Sequence, residues 1–312
     1  MMDKLTLQKV HNLIKPYIHR TPVLTSQLLN TICEAEVFFK CENFQKMGAF
    51  KMRGAVHAIL NLTDEQKRKG VVTHSSGNFA QALSLAAKSL EVTAYIVMPK
   101  NAPQVKKEAV KTYGGVIIEC DSNINARESG AARIQKEKGA TFIHPSNDDT
   151  VIYGQGTAAI ELLEDYSDLD YIFTPVGGGG LLAGTILAAN HFSNTCKVVA
   201  GEPKAVDDAY RSLISGNIEK NETSNTIADG LRTYLGDRNF PIIKKHVEKI
   251  IRVEEDEIIN AMKLIWERMK IIIEPSSAVA FAAVLKDKKK IKNKRIGVII
   301  SGGNVDVSNL PF

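Results

Sequence analysis

The feature that most constrains this chain is an alternation of short β-branched runs with longer amphipathic stretches. The runs predict strands at Val37–Cys41, Val71–His74, Thr93–Met98, Val116–Glu119, Tyr171–Thr174, Lys197–Gly201, Lys249–Val253 and Ile296–Ile300. The stretches predict helices at Ala55–Asn61, Phe79–Ser89, Pro103–Tyr113, Ala126–Lys138, Ile152–Asp165, Leu181–Asn190, Glu254–Lys270 and Ser277–Leu285. Several strands are apolar throughout, which is typical of strands covered on both faces. The alternation predicts an α/β fold of open, mostly parallel twisted sheets flanked by helices.

Length and composition narrow the class further. The chain has 312 residues, and a single core stops growing near ~250–300 residues, so two lobes are expected. Hydrophobic residues make up 44% and charged residues 24%, which is ordinary globular usage. No apolar run approaches ~18 residues, and the N-terminus carries no apolar signal core. Neither a membrane span nor a secretory peptide is therefore predicted.

The cysteines and the charge point away from several other classes. The four cysteines form no CxxC pair, so neither a disulfide framework nor a zinc site is predicted, and a reducing cytoplasm is the expected location. The net charge is +5, and the densest basic run is Lys286–Arg295. A nucleic-acid patch is one interpretation of that run. A solvated turn is preferred, and no nucleic-acid partner is predicted, because basic nucleic-acid readers carry a far larger excess.

Three polar, glycine-bearing segments follow predicted strands: Ser75–Asn78, Gly177–Gly180 and Ser301–Asn304. In open α/β sheets, ligands bind beyond the carboxyl ends of the strands, so these segments are expected to form three walls of one site. The tetraglycine Gly177, Gly178, Gly179 and Gly180 opens a predicted helix and suits an anion. It is neither a Walker loop nor the spaced GxGxxG fingerprint. A flexible turn is the alternative, but four glycines cost much backbone entropy.

The remaining candidates are weak when taken singly. Lys51 lies in the segment GAFKMRG and would need a lowered pKa for covalent chemistry; alone, such a lysine is more often on the surface. The segment Ser75–Asn78 could bind a carboxylate at a helix N-terminus, or could be an ordinary cap. The hydroxyl of Ser301 could meet a ring nitrogen.

Four motifs together carry a family resemblance: GAFKMRGA from residue 48, SSGN from residue 75, PVGGGGL from residue 175 and SGGNVD from residue 301. In order and spacing, the chain resembles fold-type II pyridoxal-phosphate (PLP) enzymes of the serine/threonine dehydratase and serine racemase group, which includes 3-hydroxyaspartate ammonia-lyases. The resemblance implies a tryptophan synthase β-like fold with PLP as cofactor. It also implies a large PLP-binding domain of residues 1–47 and 147–312, and a small domain of residues 48–146 that closes over the substrate.

The resemblance assigns cofactor-binding roles. Lys51 would be the Schiff-base lysine and would remove the Cα proton. Phe50 would pack near the ring, Asn78 would bind the ring hydroxyl oxygen, and Gly177–Gly180 would hold the phosphate. Ser301 would face the pyridine nitrogen, and a neutral hydroxyl does not favour a protonated pyridine as a carboxylate would.

It also assigns substrate-binding roles. The carboxylate would be held by Ser75, Ser76, Gly77 and Asn78. Ser76 matches the residue that acts as acid/base in serine racemase, on the face opposite the lysine. Arg127 matches an arginine near the entrance, which could pair with a second carboxylate as in 3-hydroxyaspartate; an exposed helix arginine is the alternative. Ser146 lies in a loop that borders the substrate in relatives, ahead of a turn expected at residues 154–157.

One further segment fits the resemblance, and one position departs from it. The segment from residue 202 to residue 208 resembles the divalent-cation site of serine racemase, with carboxylates from Glu202 and Asp208 and the backbone carbonyl of Val206. Oxygen ligands suit Mg²⁺ or Ca²⁺, with Mn²⁺ as a further candidate, whereas an acidic helix start is the alternative interpretation. Phe79 stands where many relatives carry histidine, which removes a hydrogen-bond donor.

The function implied is the α,β-elimination of water from a small amino acid, which would be serine, threonine or 3-hydroxyaspartate. The products would be a 2-oxo acid and ammonia. A serine or aspartate racemase with side dehydratase activity is the alternative, which Ser76 opposite Lys51 would permit. A non-catalytic PLP-binding protein is a third hypothesis, and the intact Lys51 argues against it. The resemblance further implies a homodimer with a small-molecule substrate and no membrane partner.

Overall fold

The computed structural model describes residues 3–312. Their strands are β1 (Val23–Leu24), β2 (Glu36–Cys41), β3 (Val71–His74), β4 (Ala94–Pro99), β5 (Val116–Cys120), β6 (Thr141–Phe142), β7 (Tyr171–Pro175), β8 (Lys197–Pro203), β9 (Lys249–Val253) and β10 (Arg295–Ile300). They form two sheets. One has the order β1-β2-β10-β7-β8-β9 and the other has the order β5-β4-β3-β6. Neighbouring strands are parallel except for the antiparallel pair β1–β2.

Helices connect the strands and cover the sheets. They are α1 (Lys4–Ile14), α2 (Gln27–Cys33), α3 (Lys51–Leu60), α4 (Asp64–Lys69), α5 (Asn78–Ser89), α6 (Gln104–Thr112), α7 (Ile124–Lys138), α8 (Asp149–Asp165), α9 (Gly180–Phe192), α10 (Asp208–Ser215), α11 (Phe240–His246), α12 (Glu255–Met269) and α13 (Pro275–Asp287). The mixed α/β architecture with two mostly parallel sheets confirms the predicted fold class. No helix within residues 3–312 combines the length and the apolar character that a membrane crossing needs.

The four-stranded sheet lies between residues 71 and 142, and the strands of the six-stranded sheet all lie outside that range. This arrangement agrees with two lobes, while the domain boundaries at residues 48 and 146 stay a prediction. Helix α3 packs against α5, which belongs to the four-stranded layer, and also against α8. The segment that begins at Lys51 therefore runs along the junction between the two layers.

The central strands of the six-stranded sheet are buried, as is typical of parallel sheets covered by helices on both faces. In β10, every residue after Arg295 is buried, and in β8 every residue after Lys197 is buried. Helix α13 is buried along most of its length and packs on β7, β8 and β10. Strands covered on both faces read as continuous apolar runs, and this is the signal that the sequence contained.

Every strand and helix predicted from the sequence is present, with ends shifted by no more than about four residues, as element boundaries commonly are. The elements that were not predicted are the two-residue strands β1 and β6 and the helices α1, α2, α4, α10 and α11. Apart from α1, which has 11 residues, these segments have at most eight residues, too few to show a clear hydrophobic period.

The turn expected at residues 154–157 is wrong, because these residues lie inside α8. Their glycines serve close helix packing instead. A Cβ atom on Gly154 would lie 2.7 Å from the carbonyl oxygen of Arg53 in α3, and one on Gly156 would lie 2.6 Å from that of Gly184 in α9. Glycine here lets three backbones approach one another, at a cost in helix propensity that the packing offsets.

Candidate active site

Lys51 begins helix α3, at the place where two chain segments pair beside the six-stranded sheet. The backbone N–H of Phe50 donates to the carbonyl of Ser301 (2.9 Å), and the N–H of Gly303 donates to the carbonyl of Gly48 (2.9 Å). A bridge between Ala49 and Gly302 lies between these two contacts. The predicted lysine and serine segments therefore form one wall of a shared site.

The ammonium of Lys51 points towards the loop between β6 and α8. Its Nζ donates to the carbonyl oxygen of Pro145 (2.8 Å) and lies 4.9 Å from the ring centre of Phe50 and 5.7 Å from that of Phe79. Burial lowers the pKa of Lys51 to about 8, although the nearby charge of Glu274 opposes the shift. The expectation that a lone lysine is exposed does not hold here, since the side chain is enclosed by a carbonyl and two aromatic rings.

The segment Ser75–Asn78 joins β3 to α5. Gly77 faces open space, because a Cβ atom built on it would meet no atom within 4 Å. The side-chain nitrogen of Asn78 donates to both carboxylate oxygens of Glu274 (2.9 and 3.1 Å), and its oxygen accepts from Asn304 (2.9 Å). Two walls of the predicted site are thus connected by the side chains of Asn78 and Asn304.

Ser76 and Arg127 are in contact. The Nη2 atom of Arg127 donates to the hydroxyl of Ser76 (3.1 Å). The Nε atom of Arg127 is buried and has no hydrogen-bond partner within residues 3–312, and no carboxylate there forms an ion pair with this arginine. The guanidinium is therefore partly enclosed with unused donors, unlike the exposed helix arginine that was the alternative.

The tetraglycine forms the strand–helix turn between β7 and α9. None of the N–H groups of Gly177–Gly180 donates a hydrogen bond to any part of the chain that the structure describes, although three of these glycines are buried. Buried amides without a partner are rare in proteins, and four unpaired N–H groups at the start of a helix, three of them on buried residues, suit an anion. The prediction of an anion cradle is in accord with this geometry.

Packing against neighbouring segments also requires glycine in this turn. A Cβ atom on Gly177 would lie 2.7 Å from Cα of Leu231, and one on Gly180 would lie 2.9 Å from the carbonyl oxygen of Ser146. Gly179 has a φ of +79°, which favours glycine, and a Cβ atom there would lie 2.6 Å from Asn239. Close packing is therefore one reason for glycine in this turn, and the predicted anion site would use the same residues.

Ser146 packs against the glycine turn and is buried. The neighbouring His144 accepts hydrogen bonds at Nδ1 from the backbone N–H groups of Ser146 (3.2 Å) and Asn147 (2.8 Å). Burial lowers the pKa of His144 to about 4, so the ring is neutral near pH 7 and Nδ1 is free to accept. This histidine fixes the loop that receives Lys51, and it was not among the predicted residues.

Ser301 follows β10 and is buried. Its hydroxyl lies 2.9 Å from the hydroxyl of Ser277 in α13. Ser277 and Glu274 both lie at the start of α13, and neither was predicted as a site residue. The only available sequence signal was a single acidic residue between two apolar runs, in the segment IIIEPSSAV.

Glu202 and Asp208 come together at the end of β8, away from Lys51 in the sequence. Both side chains are fully buried. Burial raises the pKa of Glu202 well above its ordinary value, and the charge of Asp208 adds to this effect. Burial likewise raises the pKa of Asp208 to about 7. The side chains of residues 3–312 include no cluster of three or more histidines, cysteines and acids arranged for a metal.

Comparison with known proteins identifies the family. A family model described as pyridoxal-phosphate dependent enzyme matches residues 14–302. A serine racemase from Dictyostelium discoideum is 52% identical over 97% of this chain and 95% of its own length. A beta-hydroxyaspartate dehydratase from Paracoccus denitrificans is 48% identical over 97% of this chain and 96% of its own.

A solved structure supports the same conclusion. The crystal structure of the Dictyostelium discoideum serine racemase has a TM-score of 0.94 with this chain, at 51% identity, and the match covers 98% of this chain and 99% of that one. Both the fold-type II architecture and the cofactor class that the motifs predicted are confirmed. This chain belongs to the pyridoxal-phosphate-dependent enzyme family.

Proposed function

We propose that this enzyme eliminates water from a β-hydroxy amino acid to give a 2-oxo acid and ammonia, with 3-hydroxyaspartate as the preferred substrate. The observation that carries the proposal is the pair formed by Ser76 and Arg127, beside open space at Gly77. A guanidinium with unused donors next to an expected carboxylate site suits a substrate with a second carboxylate. The named activity of the relative from Paracoccus denitrificans supports this choice.

Lys51 is proposed to move the proton at the substrate Cα. When bound, PLP supplies the electron sink for the electron pair left at Cα. A pKa of about 8 leaves part of the lysine neutral near pH 7, as a general base requires. The carbonyl of Pro145 orients Nζ.

The cofactor phosphate is proposed to bind at Gly177–Gly180, where unpaired N–H groups meet the N-terminus of α9. Asn78 is proposed to bind the ring hydroxyl oxygen with the nitrogen that also contacts Glu274. Phe50 borders the position of the ring. Ser301 is proposed to face the pyridine nitrogen.

The substrate α-carboxylate is proposed to bind at the N-terminus of α5. This turn offers the hydroxyls of Ser75 and Ser76, the backbone of Gly77 and the amide of Asn78. Anions bind favourably at helix N-termini, where free N–H groups and the helix dipole act together. Ser146, which lies against the glycine turn, is proposed to border the substrate on the phosphate side.

Serine racemisation is the second candidate, and one observation favours it. The hydroxyl of Ser76 accepts a hydrogen bond from Arg127, and a positive neighbour eases the loss of a hydroxyl proton. A racemase needs a proton donor on the face opposite Lys51, and Ser76 has been assigned that role. The related serine racemase from Dictyostelium discoideum supports this candidate.

A substrate panel separates the two functions. The purified holoenzyme is given L-serine, L-threonine and the four 3-hydroxyaspartate stereoisomers, and 2-oxo acid and D-serine are both followed. The proposal expects the highest kcat/KM for elimination from one 3-hydroxyaspartate isomer. A higher kcat/KM for D-serine formation would instead select the racemase. Lys51→Ala is expected to abolish both reactions.

Arginine variants test the specificity. Arg127→Met should lower kcat/KM for 3-hydroxyaspartate by about 100-fold, since a charged hydrogen-bonded pair of about 3 kcal/mol is lost, and should change that for L-serine much less. Arg133→Met is the matched control, because Arg133 lies on the same helix and pairs with the exposed Glu137. An equal loss on both substrates in Arg127→Met would contradict the proposed role.

A divalent cation, a homodimeric assembly and a cytoplasmic location complete the proposal. Glu202 and Asp208 would hold the cation with the carbonyl of Val206. The donor set fits, because two buried carboxylates with raised pKa values need either protons or a cation. The cation would stabilise this part of the fold by neutralising them. The free cysteines of the chain support a reducing compartment.

A further inference from the structure

Asn239 lies behind the glycine turn, at the residue before α11, and its side chain is fully buried. Its Nδ2 donates to the carbonyl oxygen of Gly178 (2.9 Å) and to that of Ser146 (3.2 Å). Its Oδ1 accepts from the backbone N–H of Gly236 (3.1 Å). An asparagine side chain has two protons to donate and one oxygen that accepts. Both protons and the oxygen of Asn239 therefore have partners in the backbone.

These partners determine which way the amide of Asn239 points. A carbonyl oxygen can only accept a hydrogen bond, and the backbone N–H of Gly236 can only donate one. If the amide were turned over, its oxygen would face two carbonyl oxygens and its nitrogen would face an N–H group. A buried side chain has no solvent to relieve such contacts. The nitrogen of Asn239 is therefore the atom that faces Gly178.

The hydrogen bond from Asn239 fixes the peptide plane between Gly178 and Gly179. In a trans peptide, the carbonyl and the following N–H point in opposite directions. Because the carbonyl of Gly178 points towards Asn239, the N–H of Gly179 points away from it, and this N–H has no partner within residues 3–312. Glycine on both sides leaves the plane little steric preference of its own. The orientation of this plane therefore depends on the contact with Asn239.

We propose that Asn239 is a positioning residue of the phosphate site, which holds the carbonyl of Gly178 away from the cofactor phosphate so that the N–H of Gly179 faces it. The inference rests on the proposed placement of the phosphate at Gly177–Gly180. If the peptide plane turned over, a carbonyl oxygen would face the phosphate and repel it. Asn239 thus favours a phosphate-bearing ligand without touching it, since its own donors are already used.

A comparison of PLP with pyridoxal isolates this contribution, because pyridoxal has the same ring and aldehyde but no phosphate. The Kd of each compound is measured by absorbance titration of the cofactor-free enzyme. The pyridoxal Kd divided by the PLP Kd is the phosphate preference. Asn239→Leu keeps much of the side-chain shape and removes the polar atoms. We expect it to lower the phosphate preference about tenfold, as the loss of one hydrogen bond to a charged group does.

Gln45→Met is the matched control. Gln45 is another buried side-chain amide with three backbone contacts: its oxygen accepts from the N–H groups of His19 (2.8 Å) and Lys46 (2.9 Å), and its nitrogen donates to the carbonyl of His19 (2.8 Å). None of these partners belongs to the glycine turn. The control should lose comparable hydrogen bonds and keep the wild-type phosphate preference. An equal fall in both variants, or an equal rise of both Kd values in Asn239→Leu, would overturn the inference.

A second variant and a direct measurement on the turn keep the test decisive. Asn239→Ser retains one donor, so it should lower the phosphate preference less, and it replaces Asn239→Leu if that variant fails to fold. Hydrogen exchange of Gly177–Gly180 is followed by mass spectrometry in the wild type, and it should be slower with PLP than with pyridoxal. If it is slower and neither Asn239 variant changes the phosphate preference, only this inference fails. If exchange is equal with both compounds, the proposed phosphate placement fails with it.

Discussion

Two groups of buried ionisable side chains in this molecule differ in whether their carboxylates are paired with cations. Beneath the Lys51 segment, Arg53 donates to Glu42 (2.7 Å) and to Glu161 (2.8 Å), and Lys40 donates to Glu161 (2.6 Å), all with side chains at most 1% exposed. At the end of β8, the carboxylates of Glu202 and Asp208 receive hydrogen bonds only from backbone N–H groups and from the amide of Asn221, within the chain that the structure describes.

The difference is visible in the pKa values. Burial would raise the pKa of Glu161, but hydrogen bonds and charges from Arg53 and Lys40 lower it to about 2. Burial raises the pKa of Asp208 to about 7. The first cluster, with two cations and two carboxylates, is neutral as a whole, whereas the second requires a proton or a bound cation. Ionisable side chains are buried in both places, but only in the first does the chain itself supply the opposite charges.

Breaking the paired cluster should give the largest effect. Arg53→Met leaves Glu42 and Glu161 buried with one cation between them, so we expect a loss of about 3–5 kcal/mol in the free energy of unfolding, measured by urea denaturation. Arg20→Met is the control, since Arg20 also bridges two carboxylates, those of Glu164 and Asp165, but is 41% exposed. It should cost no more than about 1 kcal/mol. Similar losses in both variants would mean that burial is not the deciding factor.

Adding a cation should sharpen the comparison at the unpaired site. At Mg²⁺ concentrations near a hundred times its Kd, we expect about 2.7 kcal/mol of added stability in the wild type, measured by thermal unfolding. Glu202→Gln should abolish this gain. Asp207→Asn is the control, because Asp207 is adjacent but already paired with Arg211 and Arg252. Stabilisation that survives in Glu202→Gln would place the cation elsewhere.

The same contrast shows what the sequence could predict. Local signals were sufficient for the strands, the main helices and the glycine turn, because apolar runs and glycine clusters are contiguous in the chain. The family motifs then brought Lys51, Asn78 and Ser301 into one site. Sequence position alone gave no reason to connect Glu274 with Asn78, which are 196 residues apart and in direct contact.

The partners of buried polar side chains could not be predicted from the sequence. Arg53 lies inside a recognised motif, yet its partners Glu42 and Glu161 come from segments 11 and 108 residues away. A charged residue in a helix is usually solvated, so burial of this arginine could not be expected before the packing of α3 against α8 was known. The turn expected at residues 154–157 failed for the same reason, since its glycines respond to neighbouring helices.

Glu274 is a third buried carboxyl without a cation, and it should make stability depend on pH. Burial raises its pKa from 4.5 to about 7, while the hydrogen bond from Asn78 opposes the shift. The folded protein therefore binds its proton more tightly than the unfolded chain does. The resulting stabilisation is complete below about pH 4.5 and is lost as the pH rises through about 7.

Glu274→Gln removes this titration while keeping an oxygen that can accept from Asn78. Between pH 5.5 and pH 8, the wild type should lose about 2 kcal/mol more unfolding free energy than the variant does, measured by urea denaturation at each pH. Other titrating groups cancel in the difference between the two proteins. Parallel pH profiles would indicate that Glu274 ionises with an ordinary pKa.

Lys51 is a half-buried cation for which the structure of residues 3–312 shows no ion pair with a carboxylate, and it should show the smallest effect in this series. In contrast to Lys40, which contacts Glu161, its Nζ has a carbonyl and two aromatic rings as neighbours. With a pKa of about 8, the neutral fraction of Lys51 rises about tenfold between pH 7 and pH 9 and then levels off. The rate at which the cofactor-free enzyme captures PLP should follow this curve, measured by absorbance under stopped flow.

Free Nα-acetyl-lysine, treated in the same way, corrects for the titration of PLP itself and should continue to gain rate towards pH 10, because its amine is fully hydrated. If the enzyme also gained rate up to pH 10, the enclosure of Lys51 by Phe50, Phe79 and the Pro145 carbonyl would not lower its pKa, and the contrast with the paired cluster would not extend to the active-site lysine.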